Sequence, residues 1–157
     1  MAAAPDHRGL VLRPVERSDA DVLFRWLNEP DRRATSFRTS GPVAWIDHVA
    51  WLDRHLDDAN GWHALALMDG KPAGQVRIER EDGSAVVSLY VDQAFRGCGV
   101  GQRLIEAACR EAGRRWPGLP VLAHVRADNP ASLAFFQHSG FSLERPLADR
   151  AILRRVP

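Results

Sequence analysis

A mixed α/β sheet flanked by helices is the fold class that this sequence predicts, and three observations predict it. Two hairpin signals, Asp69-Gly70 and Asp82-Gly83, separate three strand-like runs and make them successive antiparallel strands. Helical spacing of apolar residues precedes them twice. A glycine-rich junction then leads into helix, strand, helix and a closing pair of strands, an order that a doubly wound parallel sheet does not produce.

Leu10-Val11-Leu12 reads as the first strand. Ser18 is a candidate cap with Asp21 three residues later, and Val22, Leu23, Trp26 and Leu27 give that helix its buried face. Asn28-Glu29-Pro30 stops it, and Arg32 to Gly41 is a polar loop. A second helix is expected from Val43 to Leu56, with Ile46, Val49, Ala50 and Leu56 as its apolar stripe. Trp45, His48, Leu52 and His55 lie on a neighbouring stripe. Trp62 to Met68, Pro72 to Arg80 and Ser84 to Val91 are the three antiparallel strands. The last is apolar on both faces, which marks a covered, central strand. Val100, Leu104, Ile105, Ala108 and Ala112 give the next helix a buried face, ended by Trp116-Pro117-Gly118. Val121 to Arg126 is a strand, and Asp128-Asn129-Pro130 opens a helix that closes at Ser139-Gly140. Ser142-Leu143 and Ala151 to Val156 complete the sheet.

The chain has 157 residues, 45% apolar and 26% charged. No linker, repeat or low-complexity tract divides it, so residues 1–157 read as one domain, long enough to bury ~70% of its unfolded surface. Disorder as the main state is excluded, and no apolar run approaches a membrane span. The first residues carry no export signal, and Cys98 and Cys109 make no disulfide framework, so the expected location is cytoplasmic. The net charge of +1 gives no general reason to bind nucleic acid or an anionic membrane. Six scattered histidines show no ligand spacing, and no metal is implied.

The informative segment is Leu89-Tyr90-Val91-Asp92-Gln93-Ala94-Phe95-Arg96-Gly97-Cys98-Gly99-Val100-Gly101. A covered strand runs into an arginine and glycines, and a helix begins there. Glycines allow close backbone approach, and a helix start offers unpaired N–H groups and a positive dipole end, which suits a pyrophosphate. No Lys-Ser/Thr follows, so this is not a P-loop. The strand follows two hairpins, so it is not a dinucleotide fingerprint. By themselves the glycines would serve a ligand-free turn equally well.

Further along stands Asn129-Pro130-Ala131-Ser132-Leu133-Ala134-Phe135-Phe136-Gln137-His138-Ser139-Gly140-Phe141. With Arg96-Gly97-Cys98-Gly99-Val100-Gly101 at this distance, the paired pattern resembles the GNAT superfamily of acyl-CoA N-acyltransferases over nearly the whole chain. The resemblance implies acetyl-CoA as co-substrate and a mostly antiparallel sheet whose strand 84–91 splays from strand 121–126. It implies that amides from Arg96 to Gly101 hold the pyrophosphate and that Leu89, Tyr90 and Val91 pair with the pantetheine arm. Asn129 matches a pantetheine contact and is also a helix cap.

Acyl transfer to an amine requires a proton acceptor, stabilisation of an oxyanion and, for the thiolate, a proton source. A strand N–H near Val91 suits the oxyanion. His124 stands where many members carry a glutamate and is the candidate base; it is equally a hydrogen-bonding residue of a strand. Asp92 and Glu79 are fallbacks. Many members carry a tyrosine seven residues after the Asn, where this chain has Phe136. Water, release as thiolate (thiol pKa about 8.5) or Tyr90, the only tyrosine, would then serve.

The acceptor site in this fold usually comes from the first two helices and their loop. Trp26, Asn28, Arg33, Ser36, His48 and Trp51 are similar to the N-acetyltransferases of the pseudaminic acid pathway, which act on UDP-linked 4-amino sugars. Gln75 fits the same group. Arg32, Arg33 and Arg38 favour an anionic acceptor. A peptide N-terminus of the ribosomal-protein type, a small amine or antibiotic, and a non-catalytic acyl-CoA-binding module stand as alternatives. Monomer and homodimer are both open.

Overall fold

The computed structural model describes residues 9–30 and 42–156. Seven strands form one sheet: β1 (Leu10–Pro14), β2 (Gly61–Met68), β3 (Lys71–Glu81), β4 (Ser84–Val91), β5 (Val121–Arg126), β6 (Ser142–Pro146) and β7 (Arg150–Arg155), in the order β1-β2-β3-β4-β5-β7-β6. Only the β4–β5 pair is parallel. Among the described residues four helices flank it, α1 (Ala20–Leu27), α2 (Trp45–Leu56), α3 (Val100–Arg115) and α4 (Pro130–His138). Both hairpins turn through positive φ at Asp69-Gly70 and Asp82-Gly83, the conformation that matches strand twist.

Strand alternation divides the core in two. One face carries Ala64, Val76, Ile78, Val87, Ala123 and Leu153 against Leu104, Ile105 and Ala108 of α3. The other carries Leu65 and Tyr90 against Leu23 and Trp26 of α1 and Leu52 of α2. A one-residue slip in any strand would exchange these sets, so both cores fix the register.

The first helix does not start on a Ser18 cap. A short 3₁₀ turn, Arg17–Asp19, precedes α1, and Glu16 with Asp19 forms the capping box instead. Asp19 Oδ2 accepts from the Glu16 amide at 2.8 Å, while both its oxygens accept from the Arg13 guanidinium at 2.7 and 2.8 Å. Those Arg13 hydrogen bonds hold the Asp19 carboxyl below its ordinary value of 3.8. A depressed folded-state pKa means stability that is present above pH 3.8 and lost as the pH falls through the lower folded value. Asp19→Asn should therefore cost about 1–3 kcal/mol at pH 7. In paired urea melts that difference should shrink as the pH drops below the ordinary aspartate range; a pH-independent difference would show that the charge is not the cause.

The second helix begins at Trp45 instead of Val43, whose backbone is held by Asn28: the Val43 amide donates to Asn28 Oδ1 at 2.9 Å and Asn28 Nδ2 donates to Val43 O at 3.3 Å. Its buried stripe also differs from expectation. Ile46 is 76% exposed and Ala50 and Leu56 are exposed, whereas His48 and Leu52 are buried. The helix lies over polar strand residues, so aromatic and imidazole side chains suit the contact better than a purely apolar stripe.

Candidate active site

The central strands part. Pairing of β4 with β5 covers only Ala85↔Val121, Val86↔Leu122 and Val87↔Ala123. Beyond that level β4 stays bonded to β3 as far as Gly74↔Val91, and β5 stays bonded to β7 as far as Arg126↔Arg150. Each outer neighbour holds its strand while the inner edges diverge, leaving a V between residues 88–91 and 124–126. Edges that part in this way suit an extended ligand, as in strand addition, with Val91 O already accepting from Arg96 Nε.

The glycine junction sits at the mouth of the V. Gly97 and Gly99 have φ of +79° and +80°, and nothing lies within 4 Å of where a Cβ on Gly97 would stand. Gly99 ends the loop in the left-handed conformation and is the N-cap residue of α3. The amides of Val100, Gly101 and Gln102 lie ahead of the first intrahelical bond, from the Arg103 amide to Gly99 O at 3.2 Å. At Gly101 a Cβ would stand 3.1 Å from Phe135 Cε2 and 3.6 Å from Val91 Cγ2, so α3, α4 and β4 converge there. The Cys98 Sγ lies 3.9 Å from Arg96 O, and Val100 is buried, fixing the loop to the core by its side chains. Arg96 folds back along β4: its Nε donates to Val91 O at 3.1 Å and its Cζ lies 5.5 Å from the Tyr90 ring centre.

His124 is the first β5 residue past the last β4–β5 pair, and it is exposed on the face that carries Tyr90. Arg150 Nη1 lies 3.4 Å from His124 Nδ1. Arginine can only donate, so in this contact Nδ1 accepts and the imidazole proton is on Nε2. Tyr90 is 7% exposed, with its ring 6.0 Å from that of Trp26. Phe136 packs in the α3-side core against Phe135 and Phe141, at 5.2 Å from each. Asn129 caps α4, its Oδ1 accepting from the Ser132 amide at 3.2 Å.

The two fallback carboxylates are engaged elsewhere. Burial acts to raise the Asp92 pKa, but hydrogen bonds from Trp26 and Ala94 and the charges of Arg25 and Arg96 outweigh it and hold the carboxyl below its ordinary value. Asp92 Oδ2 accepts from Trp26 Nε1 at 2.8 Å, which ties α1 to the end of β4. Such a carboxylate is a structural anion and a poor base. Glu79 pairs across from Val86 in the closed half of the sheet, with Arg77 Nε at 2.9 Å and His55 Nε2 at 3.7 Å.

Of the expected acceptor residues, Trp26, Asn28 and His48 are engaged in packing and backbone contacts. Trp26 is fully buried and cannot stack on a ligand, and Asn28 clamps Val43. His48 is 3% exposed; its Nε2 donates to Ala20 O at 3.0 Å, and burial lowers its pKa. Trp51 stacks on His55 at 4.2 Å and receives the Arg77 guanidinium at 4.8 Å. Gln75 stands opposite Tyr90 in register, with its Oε1 2.5 Å from His63 Nε2. Arg33 and Ser36, with Arg32 and Arg38, lie outside the described residues. The reading of the sequence passed over Arg126 and Arg150 beside His124. Arg126 was within reach, since strand alternation puts it on the face of His124; Arg150 was not, because its place depends on a distant register. A surface concavity of about 410 Å³, lined by Cys109, Arg110, Leu119 and Arg155, lies at the opposite end of β5 from the V. Among the described residues no three His, Cys, Asp or Glu side chains gather in a way that could hold a metal ion, and no helix is long and apolar enough to cross a membrane.

The sequence profile of the acetyltransferase (GNAT) family matches residues 21–141. The chain belongs to the GNAT acetyltransferase family. It is 28% identical, over 85% of this chain and 84% of the other, to the Bacillus subtilis protein named "Putative phosphinothricin acetyltransferase YwnH". It is 34% identical over 85% of its length to a mycothiol acetyltransferase of Clavibacter michiganensis, and spans 44% of that longer protein. Among solved structures, a ribosomal L7/L12 α-N-protein acetyltransferase in complex with coenzyme A superposes with a TM-score of 0.81 at 18% identity, covering 98% of this chain and 97% of that one. A spermidine N-acetyltransferase mutant from Vibrio cholerae gives 0.80 at 18% identity, covering 94% of each chain. This GNAT chain is accordingly an acyltransferase that depends on acetyl-CoA, and its parted sheet is that family's fold.

Proposed function

We propose that this GNAT enzyme moves an acetyl group from acetyl-CoA to the primary amine of a small molecule held on the α1–α2 face of the V. One observation carries the reading: β4 and β5 separate after three residue pairs, with the start of α3 at the opening. The residues fit the co-substrate. Amides from Gly97 to Gly101 suit its pyrophosphate, the open side of Gly97 leaves room for it, and the inner edges of Leu89 and Val91 suit the pantetheine arm. The side-chain amide of Asn129 can meet that arm while its oxygen caps α4. Bound acetyl-CoA would supply the activated acyl group at the floor of the V.

The chain's own residues then have three tasks. The Val91 N–H, at the end of β4, suits the developing oxyanion. His124 accepts the amine proton, directly or through water, at Nδ1 once Arg150 yields it. Water protonates the departing thiolate, since Phe136 has no hydroxyl and Tyr90 is buried against Trp26. A nucleotide-linked 4-amino sugar was the acceptor suggested by sequence similarity. With Trp26, Asn28 and His48 used in packing, the geometry favours a smaller amine, in the company of a relative named for phosphinothricin.

His124→Gln tests the base assignment. Its turnover should fall by about 10²–10⁴ with acetyl-CoA affinity unchanged. Unchanged kcat, followed as amine-dependent CoA release, would retire His124 from proton transfer.

A further inference from the structure

The face of the sheet that carries Tyr90 continues across the V onto β5 and β7, and there it carries two arginines and a histidine. His124 and Arg126 alternate onto that face from β5, and Arg150 stands directly opposite Arg126 on β7. Two arginines opposite one another on an antiparallel pair repel and cost stability. Each is braced by a neighbouring aspartate: Arg126 Nε and Nη2 donate to Asp128 at 3.0 and 3.2 Å, and Arg150 Nε and Nη2 donate to Asp149 at 3.3 and 3.2 Å. The aspartate side chains are the more exposed partners, 69% and 64% against 35% and 30% for the arginines. The guanidiniums thus lie nearer the sheet and the carboxylates toward solvent. The remaining Arg150 nitrogen, Nη1, points back to His124.

We propose that Arg126 and Arg150 form an anion clamp that selects the acceptor: an amine with a carboxylate, phosphinate or phosphonate group a few bonds from the nitrogen, the chemistry of an amino acid. Planar guanidiniums on two strands suit such a group in a bidentate manner. The spacing sets the size. Arg150 Nη1 is 3.4 Å from His124 Nδ1, so an anion on that nitrogen lies within roughly 6 Å of the imidazole once a hydrogen-bond length of ~3 Å is added. The amine that gives its proton to His124 is then close to the anion. A polyamine has no anion to offer, and a diphosphate separated from the amine by a sugar ring is too distant. Contact of the anion with Arg150 also competes with the Arg150–His124 contact, releasing Nδ1 when the acceptor arrives.

This inference rests on the acetyl-transfer reading, and the experiment separates the two. CoA release from acetyl-CoA is measured with L-methionine and phosphinothricin, with methioninamide as the anion-free counterpart, and with spermidine; acetyl-CoA binding is measured independently. The clamp predicts turnover on at least one acid, with kcat/KM at least about tenfold above the amide and spermidine, since charged hydrogen bonds are at stake. Arg150→Gln should raise the KM for the acid about tenfold or more, removing its advantage, while acetyl-CoA affinity stays as in the wild type. Arg126→Gln should act in the same direction, and Arg150→Lys should recover part of the loss. Equal rates on acid and amide, preference for spermidine, or silence on every acid despite acetyl-CoA binding would overturn the clamp and leave acetyl transfer standing. Failure to bind acetyl-CoA would overturn the underlying reading and the clamp with it.

Discussion

Gly99→Val is expected to weaken acetyl-CoA binding by about a hundredfold or more while the protein still folds. Gly99 sits at φ +80° as the N-cap residue of α3, a conformation that L side chains rarely adopt. The cost is in the backbone. A β-branched residue in the left-handed region is strained by ~1–3 kcal/mol, and the chain relieves that strain by turning the peptide that starts α3. The amides of Val100 and Gly101 then point away from the mouth of the V. Hydrogen bonds to a charged group contribute ~1.5–3 kcal/mol each, so losing two accounts for the factor. Calorimetric titration with acetyl-CoA, beside a urea melt, gives the result. Wild-type affinity in the variant would remove the glycine junction from the co-substrate site.

Trp26→Ala should be the most destabilising single truncation in α1, at about 3–5 kcal/mol. The side chain is fully buried among Leu23, Leu52, Leu65 and Tyr90, and its Nε1 donates to Asp92 at 2.8 Å. Removal leaves a cavity and takes a donor from an ionised carboxylate at the end of β4, next to Val91. Trp26→Phe separates the two effects, since it keeps most of the volume and deletes only the donor. It should cost about 1–3 kcal/mol. If Trp26→Ala melted within about 1 kcal/mol of wild type, the residue would be a replaceable wall of the acceptor site after all.

How far the fold was legible follows from how local each signal is. Asp69-Gly70 and Asp82-Gly83 state their turns in two residues, because few sequences accept positive φ at both central positions. The two-faced apolar pattern of Ser84 to Val91 placed β4 in the middle of the sheet. Nothing in that pattern marks where its pairing with β5 stops; only resemblance to a family supplied the splay. On α2, spacing pointed to Ile46 and Leu56, whereas the structure buries His48 and Leu52. Spacing ranks faces by apolarity, and this helix sets Trp51 against His63 and Arg77 and His55 against Glu79. The tryptophan-rich acceptor motif reads two ways for a related reason: a ring that stacks on a ligand and a ring that fills a core share one helical spacing. Arg150 escaped notice because β7 inserts between β5 and β6, a non-local register that sets it opposite Arg126.

The most direct test of the account is amine-dependent release of CoA thiol from acetyl-CoA by the wild-type protein, run with the small-amine panel and a matched binding titration. The account predicts saturable acetyl-CoA binding and thiol release that requires a primary amine and yields equimolar N-acetyl product. Tight acetyl-CoA binding with no release on any amine would contradict it, and would make the parted sheet a site that holds the co-substrate without using it.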